Sequence, residues 1–128
     1  MDKKEIIKYW TLSSDNDYET MEYLFKGKNY SWSLFVGHIV VEKLLKAYYT
    51  KNIDTNTPYI HDLLRIAEKA KLKLSEEQKN FIDMLEPLNI ECRYPTNKEQ
   101  LMKSLTDNKC KEILNNTKEL QRWIKQKL

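Results

Sequence analysis

Two glycines and three prolines in 128 residues leave this chain almost no sites for tight turns. A β-sandwich or barrel turns every eight to twelve residues or so and needs far more of them. Lys, Glu, Leu and Ile are abundant instead, and all are compatible with helix. The chain is therefore expected to be all-α. At 15.4 kDa it is the size of one domain, spanning residues 1–128, with enough length to bury a real core.

Hydrophobic periodicity divides the chain into five or six helices, with no internal repeat. The first is expected over 3–26, with Ile6, Trp10, Ser14 (or Ser13), Asp17, Met21 and Phe25 facing inward and Gly27 ending it. The second, over 30–51, carries Leu34, Val41, Leu45 and Tyr48 on one face, and Trp32, Phe35 and Val40 besides. A helix apolar over so much of its surface belongs at the centre of a bundle. A loop rich in breakers follows at 52–59, then a short helix over 60–71 with Leu63, Leu64 and Ala67 inside. Ser75 and Gln78 form a capping box for a fourth helix running to about Leu88, which carries Phe81, Ile82 and Leu85. Residues 89–105 are the longest irregular stretch. Thr106-Asp107 caps a last helix to about Lys127, with Ile113, Leu120, Trp123 and Ile124 inward. Long helices with short connections predict an antiparallel up-and-down bundle.

The two cysteines, Cys92 and Cys110, make no disulfide framework, and the scattered His and Cys lack metal-ligand spacing. No metal and no cofactor are expected. Two glycines cannot build a phosphate loop, and the G-x-S-x-G of serine hydrolases is absent. There is no run of about 18 apolar residues to span a membrane and no apolar stretch behind the N-terminus to act as a signal, so a cytoplasmic protein is expected. Net charge is +3. It is concentrated at the C-terminal end, where residues 98–128 hold eight Lys/Arg against four Asp/Glu. A basic terminal helix could meet phosphate, but a solvated lysine-rich face is the simpler account.

A few polar residues stand where apolar ones are expected. Asp17 falls on the inner stripe of the first helix. His38, Glu42 and Lys46 follow one another at i, i+4 spacing on the most apolar helix. Either His38 and Glu42 bond each other beside the core, or Asp17, His38, Glu42 and Lys46 line a polar groove between the first two helices. His61-Asp62 opens the third helix; one of them caps it, or His61 stands at the mouth of the groove. Arg93-Tyr94-Pro95 presents a guanidinium and a phenol from the irregular stretch, suited to phosphate and base contact or to pairing with Asp17 or Glu42. Asp17, His38, Glu42, Lys46, His61, Arg93 and Tyr94 are thus the candidate ligand-binding set. Arg93 is the expected cation for the inward carboxylates.

These residues resemble the motifs of the HEPN family (higher eukaryotes and prokaryotes nucleotide-binding). The run Phe35-Val36-Gly37-His38-Ile39-Val40-Val41-Glu42-Lys43-Leu44-Leu45-Lys46-Ala47 resembles the family's second helix, a Gln or His, three residues, then Glu-Lys-x-x-Lys-Ala. His61-Asp62-Leu63-Leu64 resembles its Thr/Ser-His-Asp-Leu, Arg93-Tyr94-Pro95 its Arg-Tyr-Pro loop, Asp17 the Asp of its first helix and Thr106 the Thr opening its last. The matches keep the family's order over nearly the whole chain. The resemblance implies a helical bundle, usually dimeric, that binds nucleotide or RNA phosphate or docks a partner. It also implies a small nucleotidyltransferase partner in a toxin–antitoxin-like pair. Many members are metal-independent ribonucleases whose motif is Arg, a polar residue, three to five others, then His. Here Tyr94 stands at the polar position and residues 94–100 hold no histidine. A ribonuclease would draw on Arg93 with His38 or His61.

Overall fold

A computed structural model describes residues 2–88 and 103–128. Among the described residues there are five helices and no strand: α1 (Lys3–Lys26), α2 (Tyr30–Asn52), α3 (Leu63–Lys69), α4 (Glu76–Leu85) and α5 (Asp107–Lys125). The all-α bundle is as expected. No described helix is long and apolar enough to cross a membrane. Cys92, Arg93 and Tyr94 lie outside the described residues.

Four of the five described helices start at a side-chain cap; α2, after Asn29, does not. The Asp2 carboxylate accepts the Glu5 N–H at 2.8 Å, and Thr106 Oγ1 accepts the Lys109 N–H at 3.1 Å. At α4 the capping box is complete: Ser75 Oγ accepts the Gln78 N–H, and Gln78 Oε1 accepts the Ser75 N–H. Such caps satisfy donors that have no partner inside the helix. The α3 helix is shorter than the periodicity predicts, because Asp62 caps it by accepting the Arg65 N–H at 3.2 Å. At the end of α1 the left-handed residue is Lys28, with φ 61°, while Gly27 keeps φ −82°. The lysine thus carries the strain that glycine usually absorbs.

The α2 helix packs against α1 most extensively and also touches α3, α4 and α5. Leu34, Val40, Val41, Leu44, Leu45 and Ala47 on it are fully buried. A Cβ on Gly37 would come within 2.7 Å of Met21 Cε, so the missing side chain is what lets Met21 of α1 seat against α2. Buried polar bonds tie the layers together. Ser14 Oγ donates to the Val40 carbonyl at 2.9 Å and accepts from Gln121 Nε2 at 3.3 Å. Ser33 Oγ donates to the Met21 carbonyl at 2.8 Å.

Two inner stripes differ from expectation. On α1 the buried residues are Ser14, Tyr18 and Met21, while Asp17 sits at the edge. Tyr18 turns inward because its hydroxyl reaches the Leu114 carbonyl, at 3.4 Å. On α5 the buried set is Cys110, Ile113, Leu114, Thr117, Leu120, Gln121 and Ile124. That spacing leaves Trp123 at the rim of the face, half-buried. Trp10 and Phe81 are likewise only half-buried.

Candidate functional site

One side of α2 carries His38, Glu42 and Lys46, a turn apart. His38 is the most buried of the three, and Glu42 and Lys46 are each slightly exposed. His38 is 0% exposed, with Nδ1 3.9 Å from Glu42 Oε1 and Nε2 3.7 Å from Glu86 Oε1. The Glu42 side chain is 13% exposed and meets two nitrogen partners. Lys46 Nζ donates to its Oε2 at 3.0 Å, and His61 Nδ1 lies 3.0 and 3.2 Å from its two oxygens. Lys46 Nζ also stands 5.7 Å from the centroid of the Trp10 ring, a cation–π contact reaching across to α1.

His61 differs from the rest of the row in being 71% exposed. An ionised carboxylate only accepts, so Nδ1 carries the proton of the bond to Glu42. Among the described residues Nε2 makes no hydrogen bond. The ring is therefore oriented from behind and open in front. Asp62, by capping α3, fixes the backbone on which His61 is presented.

Glu86, immediately after α4, closes the cluster from the other side. Its Oε1 accepts the N–H of Leu63, the first residue of α3. Burial pushes the Glu86 carboxyl above the usual range; the Leu63 N–H partly opposes this, and the charges of Asp62, Glu42 and Asp83 add to the rise. Nothing in the sequence pattern marks Glu86, which follows Leu85 and precedes Pro87 at a helix end.

Asp17 belongs to a different arrangement. Its Oδ2 accepts from Lys43 Nζ at 2.6 Å, and the same ammonium donates to Ser13 Oγ at 2.6 Å. The structure brings His38, Glu42, Lys46 and His61 together and places Asp17 in a neighbouring α1–α2 ladder. Lys43 pairs with Asp17, and Lys46 and His61 meet Glu42. Arg93 and Tyr94 lie outside the described residues. Lys43 and Trp10 were not among the predicted site residues. Their signal is present in the sequence: Lys43 directly follows Glu42, and Trp10 lies one heptad before Asp17.

The family model described as HEPN domain matches residues 7–127. The chain belongs to the HEPN domain family. No curated protein and no solved structure matches it. The HEPN match takes in the His38–Lys46 row, His61 and the α5 helix that closes the bundle. HEPN domains are generally concerned with nucleotides or RNA. In this HEPN domain His38, Lys46 and His61, which resemble parts of the family's second and third helix motifs, gather around Glu42.

Proposed function

We propose that this HEPN domain binds the phosphate groups of a nucleotide or RNA at the Glu42–Lys46–His61 cluster. The observation that carries the reading is His61: exposed, held at Nδ1 by Glu42, and open at Nε2. With a second proton on Nε2, a ring positioned in this way donates to a phosphate oxygen without having to be ordered first. Arg93 is a second phosphate cation in this reading. The module would be one half of a toxin–antitoxin-like pair with a small nucleotidyltransferase, and a homodimer. Tyr9 and Tyr23, exposed on α1, support self-association, since tyrosine buries area while keeping a polar tip. Fluorescence anisotropy with labelled single-stranded RNA and with ATP tests the binding. His61→Gln is expected to abolish it at unchanged melting temperature. Light scattering at micromolar concentration is expected to give a dimer mass.

The same dyad favours a second reading, a metal-independent ribonuclease. A histidine oriented by a carboxylate is the arrangement of a general base. His61 Nε2 would take the proton of a ribose 2′-hydroxyl as its oxygen attacks the adjacent phosphorus; the P–O5′ bond breaks, the 5′-oxygen takes a proton from solvent, and a 2′,3′-cyclic phosphate is left. The buried His38 is poorly placed for this, so His61 carries the reading. Gel analysis of RNA incubated with the protein and a chelator separates the two readings. Cleavage that disappears in His61→Gln supports the ribonuclease; binding with intact RNA supports the module.

A further inference from the structure

A helix of seven residues gains too little from its own hydrogen bonds to stand alone, so the start of α3 is held by other groups. Two carboxylates hold its backbone. Asp62 caps the first turn from within the same segment, accepting the Arg65 N–H at 3.2 Å. Glu86, at the end of α4, accepts the Leu63 N–H from twenty-three residues away in sequence. That N–H belongs to the first turn and has no acceptor inside the helix. Ile60, just before His61, packs against the core, and Leu63 is fully buried. His61 therefore sits on a short segment whose far end is tied to α4 by Glu86.

Glu42 can hold the His61 ring only while this backbone keeps the ring within reach. The Glu42 and Glu86 carboxylates are themselves linked through His38. Its Nε2 lies 3.7 Å from Glu86 Oε1 and its Nδ1 3.9 Å from Glu42 Oε1, so the fully buried ring spaces one carboxylate from the other. The contacts run from His61 through Glu42, His38 and Glu86 to the Leu63 N–H, and close two residues from where they began. We propose that Glu86 is a positioning residue for His61: by accepting the Leu63 N–H it holds the backbone at which Glu42 meets Nδ1 and Nε2 faces outward. The effect on phosphate binding rests on the reading of His61 given above; the positioning does not.

The test reads the His61 tautomer in the full chain by two-bond 1H–15N NMR of the imidazole nitrogens, at a pH where the ring is neutral. His61→Gln assigns the resonances. The native ring is expected to carry its proton on Nδ1. Glu86→Ala is expected to shift it towards the tautomer mixture of an unheld imidazole. Glu86→Gln keeps an acceptor for the Leu63 N–H and is expected to restore the native pattern, which separates the hydrogen bond from the charge. Should Glu86→Ala fail to fold, Glu86→Asp, shorter by one methylene, is expected to give a pattern between the two. Affinity for labelled single-stranded RNA is expected to fall about fivefold in Glu86→Ala, as the oriented ring is depleted, and to stay within about twofold of native in Glu86→Gln. A merely structural Glu86 would lower the melting temperature and leave the tautomer alone. The proposal is overturned if the native ring is not held as the Nδ1–H tautomer, if Glu86→Ala (or Glu86→Asp in its place) keeps the native pattern, or if Glu86→Gln loses it. If the native chain binds no RNA, the phosphate reading fails while the tautomers still decide the positioning.

Discussion

His61 Nδ1 lies 3.0 Å from the Glu42 carboxylate, although nineteen residues separate them in sequence. The contact joins the exposed approach to α3 to the most buried helix of the bundle. It gives a solvent-facing imidazole a fixed orientation, and the expected behaviour of several variants follows from it.

His61→Gln removes an exposed side chain that packs against nothing in the core. Its effect on stability is expected within about 0.5 kcal/mol. Loss of RNA or nucleotide binding without a shift in melting temperature is the expected signature. A lowered melting temperature with binding retained would make His61 a structural residue.

Glu42→Gln separates structure from binding differently. Lys46 is only 8% exposed and would lose its countercharge. Destabilisation of roughly 1–3 kcal/mol is expected in urea titrations, because a desolvated cation is left unpaired. Adding Lys46→Met removes that cation and should recover most of the stability. Binding should stay lost in the double variant, because His61 no longer has the carboxylate that orients it.

Local signals made much of this fold legible. The bounds of α1 and the Ser75–Gln78 capping box follow from residue types and spacing alone, and so does the His38–Glu42–Lys46 row. What escaped depends on tertiary contact. Tyr18 turns inward for a carbonyl ninety-six residues away, and Glu86 enters the site only through the packing of α4 beside α3. The end of α1 was legible as a stop, but not as a lysine in the left-handed region. Lys28→Gly should therefore stabilise the chain by about 0.5–1 kcal/mol, read as a higher urea midpoint.

Glu86 makes stability depend on pH. Burial raises its carboxyl above the ordinary value of 4.5, so the folded chain keeps this proton to higher pH than the unfolded chain does. The stability linked to that proton is complete below 4.5 and is lost as pH rises through the folded value. His38, Glu42, Asp62 and Asp83 are the charged or titratable groups facing it. Glu86→Gln keeps an oxygen for the Leu63 N–H and carries no proton to lose. Relative to the native chain, the variant should gain stability as pH rises from 4.5 towards neutrality, measured by urea midpoints at successive pH values. A constant difference between the two proteins over that range would contradict this.

Asp17 and Lys43 offer the contrast to the Glu42 group. Their side chains are 22% and 23% exposed, so the 2.6 Å ion pair is only partly screened by water. A double-mutant cycle with Asp17→Asn and Lys43→Met is expected to give a coupling of about 0.5–1 kcal/mol. The ammonium is shared with Ser13, which holds α1 and α2 in register at this level. Because Asp17 meets Lys43 rather than His61, Asp17→Asn should lower the melting temperature while leaving RNA and ATP affinity within twofold or so of the native value. Loss of binding at unchanged stability would instead place Asp17 in the ligand site and extend that site across α1.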